Sequence, residues 1–442
     1  MLEQKGYKAH QSPSGQRNCS FNLLRKLSSA SVRALAVTVL FGSTWTFAQT
    51  LTTIYNMGRN PNDGADPERG IIFDKDGNIF GMDSIGGSSQ NHGTIFKLVR
   101  PSDPDGQWEE TILHQFTGAP DGHTPESTLV LTSTGKLVGT TSRGGDHDMG
   151  TAFIAFPKES DDDPWGGKIV YSFGSFFGDA INPNTGLLFA QGKFFGATIG
   201  GGTKNRGTVY QLTPSADGSV PWAEKVLYSF KPAGDAAFPA GELVMDKSGN
   251  LYGVTTQGGR HNLGAIYQLS PPAAPGGDWT ETVIHSFDGF NGTLPGGRLV
   301  FDADGALVGT TDGGGSGREG VVYKLAPPVN PGDPWTQTVL FTFLGGVGGG
   351  GPETGVTIDK KGRIFGAASG GGAGGPDFGG VIFRLDPPAV EGGEWKETVL
   401  HHFGGPDGFR PVAPPVLRDD GIYGTTMLGG DFGTGTIFVI TR

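Results

Sequence analysis

LTTIY, residues 51–55, has six relatives further along the chain, yet it stands without the three segments that precede each of them. The relatives are TILHQF (111–116), KIVYSF (168–173), KVLYSF (225–230), TVIHSF (282–287), TVLFTF (338–343) and TVLHHF (398–403). Each follows a tryptophan, and tryptophans 108, 165, 222, 279, 335 and 395 are separated by 57, 57, 57, 56 and 60 residues. A period that regular marks tandem structural units.

Three further segments recur with the same period. One follows a proline, as in ELVMD (242–246) and RLVFD (298–302). The next reads GNLYGVT (249–255), GALVGTT (305–311) and GIYGTT (421–426). The last reads GTIFKL (93–98), GTVYQL (207–212), GAIYQL (264–269) and GTIFVI (435–440). All are short, rich in Val, Ile, Leu, Phe and Tyr, and bounded by Gly, Asp-Gly or Pro, which predicts strands separated by tight turns. Sustained helical periodicity is absent. We name these strands A (proline-led), B (LYGTT), C (GTIYKL) and D (TVLHSF). Strand A occurs seven times, after Pro67, Pro125, Pro183, Pro239, Pro295, Pro352 and Pro411. The chain therefore begins with a lone D and ends with A-B-C. If LTTIY completes the last sheet, the array closes into a ring and protects its strand edges. This arithmetic predicts an all-β fold, a seven-bladed β-propeller of four-stranded antiparallel blades closed by the N-terminal strand. The alternative, a β-solenoid, predicts shorter coils and no stray terminal strand.

The repeated F-x-G-x-x-D-G-x-x-P…L-x-x-D-x-x-G-x-L-Y-G-T-T-x-x-G-G-x(4)-G-T-I-Y-x-L resembles the choice-of-anchor GloVer tandem-repeat family of secreted bacterial proteins. The resemblance covers residues 51–442. It implies an exported β-propeller and carries no catalytic residues to transfer. The chain's C-terminal segment departs from members that carry a sorting or anchoring tail, so surface attachment is not part of the expectation.

Residues 34–48, ALAVTVLFGSTWTFA, follow Arg25, Lys26 and Arg33. A basic flank, a short apolar run and a small residue at the boundary predict a signal peptide over 1–48 with a long basic leader, leaving the propeller at 49–442. The run is shorter than the ~20 residues of a membrane span. Removing it leaves 27 basic against 43 acidic side chains, a net charge of −16. A surface that acidic repels phosphate backbones, so nucleic acid is not an expected partner. The single cysteine, Cys19, leaves with the leader, so stability rests on packing. The expectation is a monomeric secreted or periplasmic protein without a membrane span.

In an antiparallel meander the D-to-A and B-to-C connections emerge on one face, ringing the mouth of the central channel, where loops can vary on a rigid frame. The D-to-A loops place Asp63, Asp121, Asp179, Asp235 and Asp407 at corresponding points. Asn291 stands there in blade five, and the run GGVGGGG (345–351) has no acid. These acids read either as a binding rim, with Arg410 and His261, or as turn formers bonding nearby amides. His114, His285 and His401 occupy a strand-D position held elsewhere by Tyr171, Tyr228 and Phe341, which reads as packing. The tryptophans read as inter-blade packing, with sugar stacking as the alternative. The B-to-C loops GGSSQNHG, GGDHDMG, GGTKNRG, GGRHNLG, GGGSGREG and GGDFGTG share a glycine frame with variable polar filling. In blade two, Asp121, His123, Asp146, His147 and Asp148 are close enough in topology to converge. Imidazole and carboxylate together suit Zn²⁺ or a similar divalent ion, or acid–base work.

Two functions follow from this reading. One is a non-enzymatic rim that binds a glycan, a cell-envelope component or a protein, with no cofactor. The other is an extracellular polysaccharide lyase or hydrolase, possible metal dependence included, using His123, His147 and Asp146.

Overall fold

The computed structural model describes residues 49–441 except 88–90, 104–105, 158–163, 233, 331, 374–378 and 391. The expected signal segment lies outside the described residues. The chain forms seven four-stranded antiparallel blades. Blade 1 runs from the channel outward as A, Ile72–Phe73, B, Ile79–Asp83, C, Thr94–Val99, and D, Glu109–Gln115. Blade 7 contributes Val416–Arg418, Gly421–Thr426 and Thr436–Thr441, and its D strand is Thr50–Asn56. That N-terminal strand pairs antiparallel with the C-terminal one, Leu51 opposite Ile440 and Tyr55 opposite Ile437. The ring is closed by the two ends of the chain, and the solenoid alternative is excluded. The only helix among the described residues is a 3-10 turn at Gly346–Gly348, so none is long and apolar enough to cross a membrane.

The repeat's letters have packing reasons. The glycine inside each B strand lies opposite an aromatic residue of strand C, as in Gly81 with Phe96 and Gly253 with Tyr267. A Cβ on Gly253 would stand 2.4 Å from the Tyr267 hydroxyl, and one on Gly81 2.4 Å from Phe96 Cζ. The ring thus lies over bare backbone, filling the gap a glycine leaves in a strand. Every C–D pairing carries a bulge at the same point, for example between Ile95 and Phe96, which sharpens the blade's twist.

Between blades, seven apolar clusters correspond to seven interfaces. Phe116 at the end of one D strand meets Phe153 on the next blade's C strand, with ring centroids 5.2 Å apart. The same pairing recurs as Phe173–Tyr210, Phe230–Tyr267, Phe287–Tyr323, Phe343–Phe383 and Phe403–Phe438. Edge-to-face contacts of this kind add about 0.5–1.5 kcal/mol each beyond buried area. The tryptophan opening each D strand packs into the cluster shared with the preceding blade, Trp222 among Val138, Phe194 and Tyr210 for instance. The glycine before each C strand receives the proline of the next blade's A strand. A Cβ on Gly150 would sit 2.6 Å from Pro183 Cδ, and Gly435 stands likewise against Pro67 across the closure. The residue ahead of each proline is left-handed, including the bulky Phe238 (φ 59°), Leu294 (φ 53°) and Arg410 (φ 57°). Its N–H reaches the preceding blade, as Arg410 N–H does to the Gly379 carbonyl at 2.8 Å. Strain at these positions is held by the interface itself.

Candidate functional site

Pairing of the loops makes the proposed face a real one. Gly122–His123 of a D-to-A loop pairs with Arg143–Gly144 of the B-to-C loop, and Gly64–Ala65 pairs likewise with Ile85–Gly86. Both loop sets therefore surround one mouth of the channel.

The rim acids turn inward to their own loops. Asp179 Oδ2 accepts the Ser175 N–H at 2.7 Å, and its Oδ1 accepts the Ala180 N–H at 2.8 Å. Asp63 takes the N–H groups of Arg59 and Gly64, and Asp235 those of Lys231 and Ala236. Each acid also meets the variable strand-D residue. Tyr55, Tyr171 and Tyr228 donate hydroxyls to Asp63, Asp179 and Asp235. His114 Nε2 lies 3.0 Å from Asp121 Oδ2, His401 pairs with Asp407, and His285 faces Asn291. Burial works against the charge on Asp121, but the hydrogen bond from His114 holds its carboxyl below the usual range. The strand-D position is thus packing together with a polar pair: each of these rings except Tyr55, which Met57 follows, also stands edge-on to a phenylalanine two residues later. Phe341 occurs in the blade whose following loop has no acid, so the pairing was visible as covariation within the repeats.

The blade-two constellation divides between two places, Asp148 beside His123 and Asp146 beside Asp121. Asp148 Oδ1 accepts the Gly144 N–H at 2.9 Å. The His123 ring stands against His92, with centroids 4.3 Å apart, and its Nδ1 meets the Thr124 hydroxyl. Burial and the neighbouring His92 lower the His123 pKa. Asp146 and His147 are exposed. Asp146 and Asp121 line a cavity of about 560 Å³ together with His114 and Tyr171, which neither His123 nor His147 lines. Among the described residues no group of three or more His, Cys, Asp or Glu side chains is disposed to hold a metal ion. His261 is exposed on its loop.

Arg410 belongs to a larger feature. A cavity of about 860 Å³ occupies the channel and is lined from all seven blades, by strand-A residues and their flanks. Its charged residues are Glu68, Arg69, Glu242, Arg298, Asp312, Glu353, Arg410 and Arg418. Burial raises the carboxyl pKa of Glu68, Asp312 and Glu353, against the opposing pull of Arg410 on each. Of this set only Arg410 stood out in sequence. The others fill the positions after the strand-A proline, or after strand B, where repeats disagree. The available signal was that disagreement: the third position after the strand-A proline holds Gly70, Thr128, Gly186, Glu242, Arg298, Gly355 and Pro414 in turn.

A second set marks the loop-rich face. Phe176, Phe177, Phe290, Leu344, Val347 and Phe432 lie on D-to-A or B-to-C loops and are exposed, Phe177 and Phe290 at 88% each.

The Gloeobacter/Verrucomicrobia repeat matches the chain over residues 163–375 and 300–442. No curated protein matches it. Among solved structures, the chain is similar to the extracellular domain of a hybrid two-component system of B. thetaiotaomicron, at 9% identity and a TM-score of 0.51. It covers 89% of this chain and 40% of that one. Another similar structure is PorZ, a surface component of the type-IX secretion system of Porphyromonas gingivalis, at 12% identity and a TM-score of 0.49. There the coverage is 86% of this chain and 47% of that one. The chain thus spans less than half the length of either, and the first likeness is one of fold.

Proposed function

The chain belongs to the Gloeobacter/Verrucomicrobia repeat family, and on that footing we propose that it is an exported, non-enzymatic binding propeller whose loop-rich face takes up a cell-envelope glycan. The observation that carries this reading is the ring of exposed aromatic side chains, Phe176, Phe177, Phe290 and Phe432, around a charged channel mouth. An exposed phenyl face costs solvation and contributes nothing to the inter-blade cores. It does suit the apolar C–H face of a pyranose, while nearby carboxylates and guanidinium groups suit its hydroxyls. Spacing such rings around a rigid rim favours an extended polymer that touches several loops at once. Binding is favoured over catalysis by the dispersal of His123, His147 and Asp146 and by the use of the rim acids within their own turns. A dry interior of inter-blade aromatics keeps the face fixed, which suits recognition by a preformed surface.

The test is sedimentation of the mature protein, residues 49–442, with insoluble cell-wall polysaccharide and peptidoglycan, beside Phe177→Ser and Phe290→Ser variants. Co-sedimentation that each variant weakens supports the reading. Wild-type protein that stays in the supernatant with every polymer, or capture of an envelope protein in place of polysaccharide, overturns it.

A further inference from the structure

Arginines outside this cavity and arginines lining it are paired differently. Outside it, Arg363 holds Asp359 through Nε at 2.7 Å and Nη2 at 2.6 Å. Arg384 holds Asp386 at 3.0 and 2.7 Å, and Arg100 holds Asp420 at 2.7 Å. These are short forks in which the guanidinium edge is committed. In the channel the corresponding separations are 3.9 Å for Arg69–Glu68, 3.7 Å for Arg298–Glu242 and 3.9 Å for Arg410–Glu353. At those distances the ions feel one another, but the N–H groups are not tied to carboxylate oxygens. Four further polar atoms lining the same cavity, Asn184 Oδ1, Arg298 Nε, Thr354 Oγ1 and Arg418 Nε, are buried and have no hydrogen-bond partner in the protein. Thr354 itself is only 9% exposed. An unsatisfied buried polar atom is costly to leave unpaired, so a wall that collects several calls for a ligand that both donates and accepts.

The sign pattern narrows that ligand. Going round the mouth, Glu68 and Arg69 come from blade 1, Glu242 from blade 4, Arg298 and Asp312 from blade 5, Glu353 from blade 6 and Arg410 from blade 7. A polyanion placed here must approach three or more carboxyl groups, and an amine must approach three guanidinium groups. Vicinal hydroxyls meet neither penalty, since each donates to a carboxylate and accepts from a guanidinium N–H. A volume near 860 Å³ falls at the upper end of small-ligand pockets, room for a few sugar rings and not for a polymer threaded whole.

We propose that the channel mouth is an end-binding site for a neutral glycan, receiving the terminal two to four sugar units of a chain between Arg69, Arg298, Arg410 and Glu68, Glu242, Glu353. The inference rests on the glycan reading above and assigns the aromatic rim and the channel different parts of one ligand: the rim holds the chain's length, and the channel its end. Burial, which makes ionisation of Glu68 and Glu353 costly, adds to the value of an incoming hydroxyl donor.

Isothermal titration of the mature protein with three tetrasaccharide panels tests this: neutral hexose or pentose oligomers, uronic-acid oligomers, and glucosamine oligomers. The expected result is binding of a neutral tetrasaccharide, weakened about tenfold or more by Glu353→Gln and by Arg298→Gln, with Val329→Ser, an exposed site outside both rim loop sets, within about twofold of wild type. Arg410→Lys, which keeps the charge and removes the fork, loses affinity as well. Melting curves for each variant separate lost binding from lost fold, and the half-buried Arg298 site serves where another variant fails to fold. Preference for the uronic-acid or glucosamine panel overturns the neutral class. Polymer sedimentation that depends on Phe177 and Phe290, with no tetrasaccharide bound or no effect of the channel variants, overturns the end-binding site and leaves the glycan reading standing. Loss of both kinds of binding removes the reading itself.

Discussion

Asp83 is the residue at which the repeat breaks its own rule. The final position of strand B is threonine in five other blades, Thr141, Thr198, Thr255, Thr311 and Thr426, and alanine in one, Ala368. Three of those threonines bond the first threonine of strand C, Thr141 with Thr151, Thr198 with Thr208 and Thr426 with Thr436, each at 2.8 Å. Asp83 takes the Thr94 hydroxyl at 2.7 Å on Oδ2, but its Oδ1 has no partner and the residue is wholly buried. Burial pushes its carboxyl well above the ordinary value of 3.8. We expect Asp83→Thr to stabilise the protein by about 1–3 kcal/mol at neutral pH, read by urea denaturation. A group whose folded pKa is raised stabilises fully below its unfolded value and loses that contribution as pH rises. The gain should therefore be larger at pH 8 than at pH 4, and an equal gain at both would reject the account. The strand-B glycines give the opposite test. Gly253→Ala drives a methyl into Tyr267 and should cost about 1–3 kcal/mol, whereas Gly404→Ala, with nothing within 4 Å, should stay within about 0.5 kcal/mol. At this scale the sequence was informative where residues recur and nearly silent where they do not. The B-strand glycine announced itself seven times. Glu242 and Arg298, which line the channel, occur once each at the third position after the strand-A proline and look like noise in the repeat. Asp146-His147-Asp148 drew the eye by chemistry alone; in the structure Asp148 acts on the charge of His123, while Asp146 lines a cavity with Asp121.

Blade interfaces sort into two electrostatic kinds, and strand D decides which. Where its variable residue is tyrosine, as at 55, 171 and 228, the next blade supplies a glutamate, Glu110, Glu224 or Glu281, facing the same loop acid. Where it is histidine, as at 114 and 285, the next blade has Gly167 or Gln337, and Gln337 bonds the Asn291 carbonyl at 2.9 Å. Aligning strands D with one another reveals this alternation, but only the register of neighbouring blades shows that residue 110 meets residue 63. Two carboxyl groups sharing a buried site cannot both ionise cheaply. Burial, then the charge of Asp179, pushes Glu224 up to about 8. Burial likewise raises Glu110 beside Asp63 and Glu281 beside Asp235, and it pushes Glu397 up to about 7. All four start from an ordinary value of 4.5. Their contribution to stability is thus complete below that value and is lost as pH climbs through the raised ones. The melting temperature should fall steadily from about pH 5 to about pH 9, and Glu224→Gln, which stays neutral throughout, should flatten part of the fall. A melting temperature that rises over that range would show that these acids are ionised in the folded ring. Calcium that protects at alkaline pH alone would show a cation in the proton's place.

For the whole molecule, seven nearly equivalent wedges make a stable object only if the seventh meets the first. The sequence disclosed this through one surplus: a strand D without a blade at the start and a blade without a strand D at the end. In the structure the surplus strand Thr50–Asn56 lies along Thr436–Thr441, buries Tyr55, and contributes with Met57 to the cluster that joins blades 7 and 1. The Asp66 N–H, bonded to the Thr434 carbonyl at 3.0 Å, repeats at the closure the contact found at the other interfaces. Removing the strand should therefore do more than shorten the chain. A protein beginning at Met57 leaves the edge of Thr436–Thr441 unpaired and uncovers the 7–1 cluster, a loss of more than about 3 kcal/mol, the scale of deleting one large buried side chain. An unpaired edge of Ile437, Phe438, Val439 and Ile440 also invites pairing with a second copy. Light scattering coupled to gel filtration should find concentration-dependent oligomers of the truncated protein, beside a monomer for residues 49–442. A synthetic peptide of residues 49–56 added in trans should return the monomer and raise the melting temperature, because it restores the same ladder without changing any other blade. A truncated protein that remains monomeric, with an unchanged melting temperature, would mean that the six covalently complete blades hold the ring without their clasp.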